Sequence, residues 1–109
     1  MSITSVKLIV AYPQPKDVDA FDAVYQKEHV PMAIARLAGK TKMVATKVLQ
    51  SPQGTPQFYC IAEVHFPSVE ALQRCAESAG GKETLAHAVK ISSGGPPTVM
   101  IAEESTFTF

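Results

Sequence analysis

The segment QFYCIAEVHF at 57–66 constrains the fold more than any other stretch. Side chains of a β-strand alternate between the two faces of its sheet. Phe58, Cys60, Ala62, Val64 and Phe66 therefore share one face, and Tyr59, Ile61, Glu63 and His65 share the other. The first set suits a core covered by helices. The second mixes apolar with ionisable groups, as on a face that meets water or a partner.

The flanking segments supply the rest of such a layer. Ile3–Tyr12 is β-branched and apolar and is ended by Pro13 and Pro15, so it is predicted as a strand. Asp17 is a candidate N-cap for a helix running to about residue 30. Phe21, Tyr25 and His29 follow one another at i, i+4 and form one stripe of that helix. Pro31 disfavours helical geometry at Val30 and lacks a donor, so the spacing predicts that the helix ends on His29. A second helical piece then covers Pro31 to Ala38, ended by Gly39. Lys42–Gln50 is a second strand, and SPQGTP at 51–56 is a turn-rich connection. Ser68 caps a further helix with Val69, Leu72, Cys75 and Ala76 as its stripe, broken at Gly80–Gly81. Glu83–Ile91 is another helix, SSGGPP a loop, and Thr98–Glu104 a last strand that extends toward Phe109.

The order β-α-β-β-α-β predicts a ferredoxin-like α+β domain, one antiparallel sheet with its helices on one face. At 109 residues the chain reads as a single domain over 1–109. The face without helices would leave Met43, Ile61 and Ile101, or their alternating neighbours, partly wet. An apolar face of that size predicts a homodimer with two sheets packed face to face.

Composition narrows the function classes. Apolar residues make up 46% of the chain, enough for a packed core. Ten basic residues balance ten acidic ones, which gives no electrostatic reason to expect nucleic acid or an anionic membrane. Val6–Tyr12, interrupted by Lys7, is too short for a signal or membrane segment, so a soluble, cytoplasmic protein is expected. Cys60 and Cys75 are too few for a disulfide framework and are expected to be reduced. The three histidines have no metal-ligand spacing, and no phosphate loop or serine-hydrolase signature occurs. No metal and no cofactor is expected.

The strand VKLIVAYP, the helix FDAVYQKEHVPMA and the segment FYCIAEVHFPSVEALQ resemble the EthD family of dimeric α+β-barrel proteins. The pattern F-x3-Y-x3-H-x-P, here Phe21, Tyr25, His29 and Pro31, carries most of the resemblance. It implies a small protein acting without a cofactor on a small aromatic, polyketide-like or lactone metabolite. His29 would move a proton α to a carbonyl and Tyr25 would steady the oxygen. Tyr12, Phe21, Met32 and Cys60 would border the pocket.

Each residue also has a plainer reading. His29 can be a cation at a helix C-terminus, Tyr25 and Tyr12 half-buried aromatics, and Cys60 an inert buried thiol. Glu63 and His65 are expected as hydrogen-bonding groups of the dimer interface, and His87 as an exposed helix residue or a second pocket histidine. Residues 86–95, AHAVKISSGG, contain no acid, which favours the alternative of a ligand-binding or accessory protein to a degradative oxidase.

Overall fold

The computed structural model describes residues 3–109. Four antiparallel strands, β1 (Ile3–Pro13), β2 (Lys42–Lys47), β3 (Phe58–Phe66) and β4 (Thr98–Thr106), form one sheet in the order β2-β3-β1-β4. The two most apolar strands are central, as expected. Helices α1 (Val18–Val24), α2 (Val30–Arg36), α3 (Val69–Glu77) and α4 (Ala79–Ile91) pack on one face. The fold is the ferredoxin-like α+β arrangement. Both predicted caps form: Asp17 accepts from the Ala20 N–H and Ser68 from the Ala71 N–H.

Pro31 does not stop the helix. Residues Tyr25–His29 form a π-turn between α1 and α2, in which the Val30 N–H reaches the Tyr25 carbonyl. In a regular helix the Pro31 ring would meet the carbonyl of Lys27 and leave it unbonded. The wider turn removes the demand for that bond, and Pro31 then occupies the first turn of α2, where a missing donor is harmless. His29 is therefore inside a continuous helical path and not at its end.

Gly80–Gly81 does not break a helix either. Ser78 ends α3 and caps α4, accepting from the Gly81 N–H, and both glycines lie within α4. A Cβ at Gly80 would overlap the Arg36 carbonyl, and one at Gly81 the Cys75 carbonyl. The two glycines allow close packing of helices; they do not mark a turn.

Two face assignments also change. A bulge at Tyr12/Pro13 shifts the β1–β3 register, and Tyr59 joins the buried cluster with Phe21 and Tyr12 while Phe58 is only half-buried. Met43 pairs with Val64 and Ile101 with Leu8, so both lie on the helix side. The open face carries Ile61 and, in place of Met43 and Ile101, their alternating neighbours Val44 and Met100, the alternative the strand pattern left open. Among the described residues, no helix is long and apolar enough to cross a membrane.

Candidate functional site

The predicted stripe is formed. Phe21 stacks on Tyr25 at 5.5 Å between ring centroids, and Tyr25 on His29 at 5.6 Å. From β1, the Tyr12 ring meets all three edge-on. His87, one of the two roles left open for it, comes in from α4 and stacks on His29 at 5.1 Å with the rings 9° from parallel. Thr84, Ala88 and Ile91 are the buried side of α4, and His87 lies on the flank of that stripe, half-buried.

Three polar groups are thereby lined up. The Tyr12 hydroxyl lies 3.3 Å from His29 Nε2, and His29 Nδ1 lies 2.8 Å from His87 Nδ1. Burial, reinforced by the nearby His87, lowers the His29 pKa to about 4, so the ring is neutral at neutral pH. Burial raises the Tyr12 and Tyr25 hydroxyls well above the usual tyrosine range, so both keep their protons. Only one arrangement of hydrogens satisfies every buried group. Tyr12 donates to His29 Nε2, and His29 Nδ1–H donates to His87 Nδ1. The reverse order would leave the Tyr12 O–H without an acceptor in an apolar surrounding.

Tyr12 and His29 of this line, but not His87, border a cavity of about 50 Å³ between helices and sheet, walled also by Tyr25, Val10, Ala33 and Met43 among others. Leu8, Leu37, Gly81 and Leu85 also border a larger apolar groove of about 390 Å³, which runs along the helix side of β4 past Val99 and Ile101. Of the four expected wall residues, Tyr12 lines the cavity and Phe21, Met32 and Cys60 do not. Phe21 is held in the aromatic core, and Met32 is half-buried on α2. Cys60 is buried, its thiol beside the Tyr25 hydroxyl, and burial pushes its pKa up, which makes it a poor nucleophile. Because the Tyr25 hydroxyl is directed toward Cys60, Tyr12 is the tyrosine that shares a hydrogen bond with His29.

Glu63 and His65 lie on the open sheet face in a second cluster. Lys7 Nζ reaches Glu63 at 2.8 Å and Glu104 at 3.1 Å, and His65 has a carboxylate oxygen of each glutamate at 3.8 Å. Glu63, His65 and Glu104 are residue types that can hold a metal, with ligand atoms within 4.8 Å of one another. The Lys7 ammonium already supplies the cation between their carboxylates.

Sequence reasoning undervalued Tyr12 and His87. The signal for His87 was its spacing from Thr84 and Ile91, which puts it beside the buried stripe of α4. That spacing already lies within the helix predicted over Glu83–Ile91; what the sequence does not show is that this flank meets His29.

Comparison with known proteins places the chain, by sequence and by fold, among relatives. A protein of Bacillus halodurans described as an ethyl tert-butyl ether d (EthD) family member has a crystal structure with a TM-score of 0.84 and 36% identity, covering 92% of this chain and 98% of that one. A dimeric ferredoxin-like protein of unknown function from Jannaschia superposes with a TM-score of 0.65 at 14% identity, covering 92% of this chain and 98% of that one. An uncharacterized 11.0 kDa protein of Rhodococcus erythropolis, in the thcB-thcC intergenic region, is 26% identical over 100 residues, which is 92% of this chain and 95% of that protein. The EthD domain model matches residues 13–91, from the end of β1 through α4, and the chain therefore belongs to the EthD family.

Proposed function

We propose that this chain acts without a cofactor on a small, uncharged aromatic, polyketide-like or lactone metabolite, by proton transfer of the isomerase or cyclase type at His29. The observation that carries this reading is the Tyr12 hydroxyl 3.3 Å from His29 Nε2, on the wall of an apolar cavity. A proton donor and an unprotonated imidazole nitrogen lie side by side. A carbonyl oxygen can take the tyrosine hydrogen bond while its α C–H faces Nε2. Nε2 accepts the carbon-bound proton, and the Tyr12 O–H holds the developing enolate oxygen. The role first expected of Tyr25 thus passes to Tyr12, with Tyr25 holding the imidazole by stacking. The cavity beside His29 admits only the reacting end of such a ligand, and the contiguous groove along β4 suits its apolar body.

The test is a thermal-shift screen of wild type and His29→Ala against small aromatic acids, lactones and polyketide-like phenols. The expected result is a compound that stabilises wild type and not the variant, since selective binding to the native state raises its stability. Deuterium from D₂O should then enter that compound α to its carbonyl in wild type only. Full exchange in His29→Ala would end the reading.

A second reading is a carrier or an accessory protein to a degradative oxidase. The absence of any carboxylate among the hydrogen-bond partners of His29 favours it within the described residues. A stabilising compound recovered unchanged, with no deuterium, is its signature.

The working unit proposed is a homodimer joined through the open sheet faces. Ile9, Val44, Ile61 and Met100 form an apolar part of that face and the Lys7 cluster its polar centre. A monomeric mass by analytical ultracentrifugation would remove the dimer.

A further inference from the structure

We propose that His87 is the outer member of a proton relay, Tyr12–His29–His87, which lets His29 take a proton in the cavity without holding a charge there. The inference rests on the reading of His29 as the proton-transfer group, and it gives that group an exit. His29 has an apolar cavity on one side and aromatic rings around it. An imidazolium formed there would be poorly solvated, so an isolated His29 would be a weak base. The contact at 2.8 Å between the two Nδ1 atoms changes this. Two neutral imidazoles can make that contact only if exactly one Nδ1 carries a hydrogen, and the Tyr12 bond assigns it to His29.

The step then balances. A substrate C–H gives its proton to His29 Nε2 and leaves its electron pair on the enolate. The Nδ1 proton of His29 moves to His87 Nδ1. His29 ends neutral, protonated at Nε2, and His87 ends as the imidazolium. His87 is half-buried and less enclosed than His29, so the charge sits nearer water. Running the sequence backward returns the proton to the same or a neighbouring carbon. His87 meets no substrate atom in this scheme and is a positioning residue. The other groups with exchangeable protons around the pair are Tyr12 from β1, Tyr25 in the π-turn and Cys60 from β3. Glu83, one turn before His87 on α4, is paired with Arg36.

The relay has a signature that needs no substrate. In a long-range ¹⁵N–¹H NMR titration of the whole protein, His29 at neutral pH should carry its hydrogen on Nδ1. As acid charges the pair once, His87 should become doubly protonated while His29 stays neutral and switches its hydrogen to Nε2. In His87→Gln, the amide oxygen can accept from Nδ1 but cannot take the proton, so His29 should keep the Nδ1 hydrogen and the switch should be lost. A His29 that holds its hydrogen on Nε2 at neutral pH, or one that keeps a single tautomer while His87 charges, overturns the relay. The wild-type titration decides the matter even if the variant does not fold. Failure here with a positive ligand screen would remove the relay and leave the proposed function standing. A clean switch with a negative screen would do the reverse.

Discussion

Two histidines are almost equally hidden in this molecule, on opposite faces of one sheet. His29 is 6% exposed and His65 is 3% exposed. His29 is surrounded by aromatic rings and a second imidazole, and its cavity wall is almost wholly apolar. His65 lies among Ser5, Glu63 and Glu104, with the Lys7 ammonium between the two carboxylates. Burial alone therefore says little about what a histidine does. The helix-side ring is kept neutral and has a donor on one nitrogen and an acceptor on the other, the condition for moving protons. The open-side ring belongs to an ionic cluster in which one ammonium lies between two carboxylates, an arrangement that holds groups in place and does not pass protons along a line.

The largest expected difference between the two faces is in acid. His29 binds its proton less readily folded than unfolded, with a folded pKa lowered to about 4 from 6.5. The unfolded chain then holds more protons between those values, so this contribution is complete above about pH 6.5 and is lost as pH falls toward 4. It amounts to about 3 kcal/mol at most. Chemical denaturation of wild type and His29→Gln across that window should show the wild type losing more stability on acidification. Parallel curves would mean that His29 is solvated and not enclosed.

Next in size is Tyr12→Phe. The ring packing survives, but His29 Nε2 loses its donor. A cost of about 1 kcal/mol in urea unfolding is expected, with the His29 tautomer no longer fixed. An unchanged tautomer would show that the hydroxyl does not orient the ring.

The smallest effect belongs to the open face. In the single chain these side chains retain contact with water, so below the concentration at which the proposed dimer forms the Lys7–Glu63–Glu104 network should weaken with salt. A slight fall in Tm between low and high NaCl should appear in wild type and vanish in Lys7→Met. Salt sensitivity unchanged in Lys7→Met would separate the cluster from the face's electrostatics.

Much of this layout was legible in the sequence, and the misreadings share a cause. Strand alternation and the caps at Asp17 and Ser68 are local signals, and both survive in the fold. The F-x3-Y-x3-H stripe is also local, and its rings stack as the spacing implied. Pro31 and Gly80–Gly81 are local signals too, but tertiary packing overrode them. A π-turn accommodated the proline, and the glycines were needed where α4 passes the carbonyls of Arg36 and Cys75. Tyr59 changed face because of a bulge written in the pairing of two distant strands. His87 meets His29 across 58 positions of chain, a contact that no window of sequence contains.

The π-turn has a consequence for how this helical arm tolerates insertion and deletion. Each residue of a helix turns the chain by about 100°. A five-residue turn between two seven-residue helices acts as a phase adjuster: the extra residue sets where α2 points independently of α1. Deleting any one residue from Tyr25 to His29 would remove the wider turn and put Pro31 back into a regular screw, where its ring meets the carbonyl four positions earlier, under the helix that carries Ala33 into the core. The histidine and the helix that follows it are thus geared together, and neither can drift by a single position without disengaging the other.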